Sequence, residues 1–214
     1  RKYNEILFEL KDDVAWITIN RPQVLNAFRE QTLDELIEAV KSIREDASIV
    51  AAVITGSGDR AFSAGGDFQA MMKLNRANAM HWNDRMLGLA MAIRGATVPV
   101  IAMVHGHCMG GGHELALWCD LVISADDGVF GQTGAKVGAC PTVGATQYIP
   151  RLIGDRLAKE MIFLCRTFPA EEAVKIGLIN KVVPKADLRR ETEEWCQQMK
   201  GYSIEARPHM VWVY

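Results

Sequence analysis

The sequence predicts an α/β protein built on a largely parallel sheet, and three observations carry that reading. Near-continuous β-branched and alanine runs at 49–55, 98–104 and 121–124 have the composition of strands covered on both faces. Between them lie stretches of helix formers with apolar residues at helical spacing. The first two runs lead into glycine-rich loops, Ala61-Phe62-Ser63-Ala64-Gly65-Gly66-Asp67 and Gly110-Gly111-Gly112, at the carboxyl ends where such sheets gather ligands.

The remaining elements follow in order. Residues 6–10 and 14–19 read as two strands joined at Lys11-Asp12-Asp13 in a hairpin, and Asn20-Arg21-Pro22 ends the second. Leu33, Leu36, Ile37, Val40 and Ile43 then recur at helical spacing, with Thr32 expected as N-cap and Glu35 completing a capping box. Residues 68–94 are rich in helix formers, with an interruption at 75–78. Their methionines, among them Met71 and Met86, either fill the core or line an adaptable pocket, and core filling is the expected role. A short apolar helix at 112–119 precedes the strand at 121–124, and a glycine-spaced loop covers 129–144. Helical segments are expected at 145–152, 156–164 and 170–175, a short strand at 179–183, and an amphipathic helix at 185–200. Residues 202–214 do not close a further packed helix. No internal repeat or linker is legible, so residues 1–184 are expected to form one core and 185–214 a helical C-terminal segment.

Composition narrows the function classes. The chain has 214 residues, 49% of them hydrophobic, enough to bury a sizeable core. A formal net charge of −2 and the lack of a basic-aromatic cluster argue against nucleic acid or an anionic membrane as partner. Five cysteines without a C-x-x-C spacing read as reduced core thiols and point to the cytoplasm. Neither a signal peptide nor an 18-residue apolar run is expected to carry the chain to or across a membrane.

Chemistry concentrates between Val104 and Asp120. Three glycines where a strand turns into a helix leave free N–H groups at the positive end of the helix dipole, a place suited to a developing oxyanion. One turn on, Glu114 offers a carboxylate for proton transfer. The loop at 61–67 is expected to supply a second N–H to the same carbonyl oxygen. His113 is a catalytic candidate, with a packed, hydrogen-bonded histidine as the alternative. His105 and His107 are only two potential ligands in this stretch, and no metal site is expected.

Taken together, Asn20-Arg21-Pro22 with Asn26-Ala27, Ala61 to Asp67, Gly110-Gly111-Gly112-His113-Glu114-Leu115, Cys119-Asp120, Phe130-Gly131-Gln132 and Ala173-Val174-Lys175-Ile176-Gly177-Leu178-Ile179 resemble the crotonase (enoyl-CoA hydratase/isomerase) superfamily over essentially the whole chain. Gly131 to Gly138, Phe163-Leu164-Cys165-Arg166 and Trp195-Cys196 look most like its naphthoyl-CoA synthases and alicyclic oxoacyl-CoA hydrolases. The resemblance implies a crotonase-like spiral of ββα turns, a helical C-terminal region that is expected to be truncated, and assembly into homotrimers or homohexamers. It also implies an acyl-CoA substrate and no cofactor beyond the coenzyme A moiety. By position, the N–H groups of Ala64 and Gly111 would grip the thioester carbonyl and Glu114 would act as base. Val24, Leu25, Ala27, Ser63, Ala64, Gly66, Asp67 and Phe68 would hold coenzyme A. Gln132, Thr133 and Gly134, which in one naphthoyl-CoA synthase branch hold a bicarbonate base, would meet a substrate carboxylate or ring carbonyl.

Three departures shape the functional expectation. Simple hydratases of the family use two glutamates, and the second would fall at Gly134, which has no side chain. Naphthoyl-CoA synthases would show serine and aspartate at Ala139 and Pro141, and an apolar residue at Glu114. The family's usual basic residue near Leu25 is missing; Arg21 or Arg29 could take its place on the coenzyme A phosphate, though surface solvation is the expected role for both. The resulting expectation is an acyl-CoA hydratase or hydrolase on a cyclic or bulky enoyl- or oxoacyl-CoA, working through an enolate. The alternatives are 1,4-dihydroxy-2-naphthoyl-CoA synthase and a non-catalytic CoA-binding assembly protein.

Overall fold

A computed structural model describes residues 2–201. The chain opens with a hairpin, β1 (Ile6–Lys11) and β2 (Val14–Ile19), whose register closes at Lys11 opposite Val14. Asp12 and Asp13 both take positive φ, 54° and 64°, as a two-residue turn matching the strand twist requires. The chain then crosses through α1 (Glu30–Ser42) to β3 (Ala51–Gly56), which pairs parallel to β2. β5 (Val100–Val104), β7 (Leu121–Ala125) and β10 (Lys181–Val183) extend this sheet in the order β1-β2-β3-β5-β7-β10. Every residue of β3 and β5 is buried, as their unbroken apolar composition requires.

Four strands of three residues build a second sheet that 61–67, 104–112 and 129–144, read as loops, did not suggest. β4 (Ala61–Ser63), β6 (His107–Met109) and β8 (Val129–Gly131) run parallel, and β9 (Thr167–Pro169) closes the edge antiparallel. Each long strand from β3 onward is thus followed by a short one in the other sheet and then by a helix: α3 (Ala79–Arg94) after β4, α4 (Gly111–Trp118) after β6, and α5 (Ala145–Ile153) with α6 (Asp155–Phe163) after β8. This is the ββα spiral. Its repetition is one of architecture, with no matching repetition of residues.

Two apolar layers flank the large sheet. Along β3, Ala52 and Ile54 face Leu33, Leu36, Val40, Leu89 and Ile93 of α1 and α3, while Ala51 and Val53 face the layer closed by α8 (Leu188–Lys200) through Leu188 and Cys196. Helix α1 begins one turn earlier than Thr32 suggested. Arg29 is the N-cap, and Thr32 Oγ1 reaches back to accept the Arg29 N–H at 3.1 Å, while Glu35 instead receives the N–H groups of Asn4 and Glu5. The interruption before α3 follows α2 (Phe68–Met71) and is made by side chains. Asn78 Oδ1 accepts the Asn75 N–H at 2.7 Å and Asn75 Oδ1 accepts the Ala77 N–H at 2.8 Å. Among the described residues no helix is long and apolar enough to cross a membrane. The expected tail at 202–214 lies outside the described residues.

Candidate active site

The two glycine loops meet at the start of α4. Gly65, at φ 90°, lies so close to this start that a methyl on it would stand 2.7 Å from Gly111 N and 2.9 Å from Met109 O. Gly112 is packed equally tightly against the Ser63 carbonyl. Only glycine permits this approach, because any β-carbon would overlap backbone atoms that cannot rotate away.

Pairing with residues 25–28 decides which N–H groups remain free. Ala64 donates to the Leu25 carbonyl at 2.9 Å, so the Ala64 N–H expected to meet a substrate is already engaged. Phe28 then takes both sides of the next bridge, donating to Gly65 O and accepting from Asp67 N, each at 2.7 Å. In an extended segment successive N–H groups point to opposite sides. The Gly66 N–H therefore points away from Phe28, and it has no hydrogen-bond acceptor among the described residues. Gly111 is the first residue of α4, where helix N–H groups lack intrahelical partners, and its N–H is likewise unengaged among the described residues. Gly66 therefore replaces Ala64 as the free donor of the first loop.

Gly66 and Gly111 both line a cavity of about 760 Å³, and so does Glu114. The Glu114 carboxyl is buried, and Oε1 accepts the Val143 N–H at 3.0 Å. Burial pushes this carboxyl up from its ordinary value; the N–H groups of Val143, Ala145 and Thr142 oppose that shift without cancelling it. Trp118, one turn further along α4, donates from Nε1 to the Val143 carbonyl at 2.8 Å and so anchors the residue whose N–H meets Glu114. The position of a second carboxylate is filled by Gly134, which lines the cavity, and a β-carbon there would stand tight against Ala139 O at 3.0 Å.

The other expected site residues divide. Val24, Ala27, Asp67, Phe68, Thr133 and Gly134 line the cavity, whereas Leu25 and Ser63 do not. Ser63 is fully buried, and its Oγ donates to Asn26 O and accepts the Gly65 N–H, so it shapes the loop from within. Asp67 caps α2 through the N–H groups of Gln69 and Ala70 and pairs with Arg21 at 2.9 Å. Gln132 borders the cavity but turns its amide nitrogen inward to Gly110 O and His113 Nδ1, each at 3.3 Å. His113 does not line the cavity. It is buried edge-on to Phe130, and burial brings its pKa down to about 3, so it stays neutral and in place as a packed histidine, not as a proton carrier.

Met71 and Met86 both line the cavity, so the methionines divide between pocket and core. Trp82 and Lys136 also line it, and Lys136 is the one Lys or Arg among its lining residues. Lys136 was legible only as part of the glycine-spaced loop. Four of the five cysteines are buried and free, while Cys140 is exposed on the cavity wall. Among the described residues no group of three His, Cys, Asp or Glu side chains converges as metal ligands.

Arg21 is not a solvated cation, whereas Arg29 stands exposed at the surface as expected. Arg21 is 8% exposed and donates to Ala27 O while pairing with Glu5 and Asp67, and Arg29 pairs with Glu5. Burial alone would raise the Glu5 carboxyl, but hydrogen bonds from Arg29 and Thr32 and the charges of Arg21 and Arg29 outweigh it and hold the group below its usual range. Asp67 is lowered in the same way, burial being outweighed by the Ala70 N–H and Arg21. Arg21→Met leaves two enclosed carboxylates short of a partner and is expected to cost about 3–5 kcal/mol in denaturant unfolding. Because both carboxyls are lowered on folding, the wild-type stability they contribute is complete above about pH 4.3. It is lost as pH falls through their depressed folded values.

Comparison with known proteins agrees with this architecture. The sequence model of the enoyl-CoA hydratase/isomerase family matches residues 9–210. DspI of Pseudomonas aeruginosa is 31% identical, with a TM-score of 0.94 over 99% of this chain and 80% of that one. An enoyl-CoA hydratase of Bacillus anthracis is 31% identical, with a TM-score of 0.93 over 97% of this chain and 81% of its own. One from Mycobacterium smegmatis is 30% identical, with a TM-score of 0.92 and the same 97% and 81% coverage. With this match over nearly all its length, the chain belongs to the enoyl-CoA hydratase/isomerase, or crotonase, family.

Proposed function

We propose that the chain is an acyl-CoA hydratase or hydrolase that works through an oxyanion-stabilised enolate on a cyclic or bulky enoyl- or β-oxoacyl-CoA. One observation carries this reading: the unengaged N–H groups of Gly66 and Gly111 and the buried Glu114 carboxyl share one cavity. A thioester oxygen held by the two N–H groups accumulates charge as the enolate forms, and preorganised donors in a site shielded from water stabilise it. In hydration, Glu114 takes a proton from water as the oxygen adds to the β-carbon and the double-bond electrons move onto the thioester oxygen. The enolate then collapses and takes that proton from Glu114 at the α-carbon. The same carboxyl serves twice, which suits a site with no side chain at position 134. In ring opening, water adds to the β-carbonyl, the bond from the carbonyl carbon to the α-carbon breaks, and the resulting enolate is protonated in the same manner.

The cavity supports the acyl class. Its volume lies within the range of about 300–1,000 Å³ typical of small-molecule sites, and Met71, Leu74, Trp82 and Met86 give it broad apolar walls. Val24 and Phe68, 37% and 57% exposed, mark the side open to the coenzyme A moiety, and Lys136 offers a cation to its phosphates or to a substrate carboxylate. A screen of linear, alicyclic and aromatic CoA thioesters, read by mass spectrometry for gain of water, tests the assignment. Faster conversion of cyclic thioesters is expected; conversion of linear enoyl-CoA alone would contradict the acyl class.

Ring closure to a naphthoyl-CoA has one observation in its favour, the presence of Thr133 and Gly134 on the cavity wall. Ala139 and Pro141 line the same wall where those synthases carry serine and aspartate, so o-succinylbenzoyl-CoA is expected to give no naphthoyl product. Assembly as a trimer or pair of trimers belongs to the same reading. It is supported by Phe163 and Leu164, which stand 71% and 73% exposed at the end of α6, and light scattering measures it.

A further inference from the structure

The peptide between Gly110 and Gly111 is flanked by two glycines, so little in its own chemistry stops it from flipping. Gly110 holds φ 52° and ψ −121°, a conformation closed to other residues. In a trans peptide the C=O and N–H point in opposite directions. Whatever anchors the Gly110 carbonyl therefore also aims the Gly111 N–H. Two donors reach that carbonyl: the Glu114 N–H at 2.9 Å, which belongs to α4 itself, and Gln132 Nε2 at 3.3 Å, which comes from the end of β8. The second hydrogen of the same amide nitrogen is directed to His113 Nδ1, also at 3.3 Å. Both Gln132 hydrogens are then used, the amide cannot rotate without losing both contacts, and His113 must present a bare Nδ1. His113, in turn, is held by its edge-on contact with the Phe130 ring, centroids 5.9 Å apart.

We propose that Gln132, held by His113, is a positioning residue that keeps the Gly110–Gly111 peptide turned so that the Gly111 N–H faces the cavity. The role differs from substrate contact: Gln132 borders the cavity, but its amide nitrogen is spent on Gly110 O and His113 Nδ1, and both residues are buried. Burial, which brings the His113 pKa down to about 3, keeps the imidazole neutral, and the Gln132 N–H selects the tautomer with a bare Nδ1. The inference rests on the enolate reading, because only a substrate charge on the thioester oxygen makes the aim of that N–H matter. Misplacing a catalytic group by about 1 Å costs on the order of 100-fold, and losing one oxyanion donor altogether costs about 10²- to 10³-fold. Losing the brace while α4 still holds the carbonyl through Glu114 N is expected to cost about 10- to 100-fold.

The test uses acetoacetyl-CoA, a β-oxoacyl thioester whose enolate absorbs in the near ultraviolet. Wild-type protein is expected to favour the bound enolate. Gln132→Leu is expected to lower that enolate fraction and to reduce turnover about 10- to 100-fold, while affinity for free coenzyme A stays within about twofold. His113→Phe keeps the ring packing but removes the acceptor. It should give a smaller loss of the same kind, and the double variant should lose no more than Gln132→Leu alone, since both act through one chain of contacts. An unchanged enolate band in a folded Gln132→Leu or His113→Phe protein overturns the positioning role and leaves the enolate reading intact. A wild-type protein that never favours the enolate overturns both. Should Gln132→Leu not fold, His113→Phe carries the same comparison.

Discussion

Glu114→Gln is expected to reduce turnover by about 10²- to 10⁴-fold, the contribution of one positioned acid–base group, with affinity for acyl-CoA retained. The amide keeps the shape of the carboxyl and an oxygen for the Val143 N–H, but it cannot accept and return a proton. Steady-state kinetics beside calorimetric binding separate the two effects. A non-catalytic CoA-binding protein would show no difference between the two forms. The wild-type pH profile carries a second signature of the same group. Burial raises the Glu114 carboxyl, so the acid limb of the rate is expected above the ordinary glutamate value of about 4.3, with activity falling as pH drops through the raised folded value. The stability linkage has the opposite sign. A carboxyl raised on folding makes the fold less stable as pH rises through that window, because charging it inside the protein costs more than charging it in the unfolded chain. Glu114→Gln removes this cost but sets an NH2 group against backbone donors, so its unfolding midpoint should move far less than its activity.

Gly65→Ala is expected to be nearly as damaging, and by geometry alone. The added methyl would stand 2.7 Å from Gly111 N and 2.9 Å from Met109 O, both backbone atoms, so the two loops must separate. The left-handed backbone adds its own penalty, and the two together are expected to cost about 1–3 kcal/mol. Activity should fall further than stability, by about 100-fold or more, since the donors on the two loops no longer converge on one oxygen. Gly154→Ala is the control. Gly154 has φ 80°, a methyl added to it would meet nothing within 4 Å, and it lies outside the cavity lining. It should lose stability for the same conformational reason yet retain activity. Thermal unfolding and turnover measured on both variants distinguish strain in general from separation of the loops.

The long elements were legible because each gives a period or a composition over enough residues to register. The β-branched runs of β3, β5 and β7, the α1 stripe of Leu33, Leu36 and Val40, and the break before α3 all belong to this class. The second sheet was not legible. Its strands β4, β6, β8 and β9 are three residues long, too short for alternation to show, and their pairing joins segments far apart in the chain. The same cause explains the site. Glu114 and both glycine loops stand out in the sequence, but which N–H of the first loop is free depends on residues 25–28. Ala64 is spent on Leu25, and the bridge at Phe28 turns Gly66 outward. Arg21 misleads in the same manner. An arginine beside a strand break reads as solvated until the fold brings Glu5 and Asp67 around it.

A crystal structure with a slowly reacting acyl-CoA thioester bound shows directly whether the two glycine N–H groups grip one oxygen. The thioester oxygen is expected about 2.7–3.1 Å from both Gly66 N and Gly111 N, with the β-carbon beside the Glu114 carboxyl. A thioester oxygen bound elsewhere, or held by only one of these two N–H groups while the acyl chain runs away from Glu114, would contradict the proposed function.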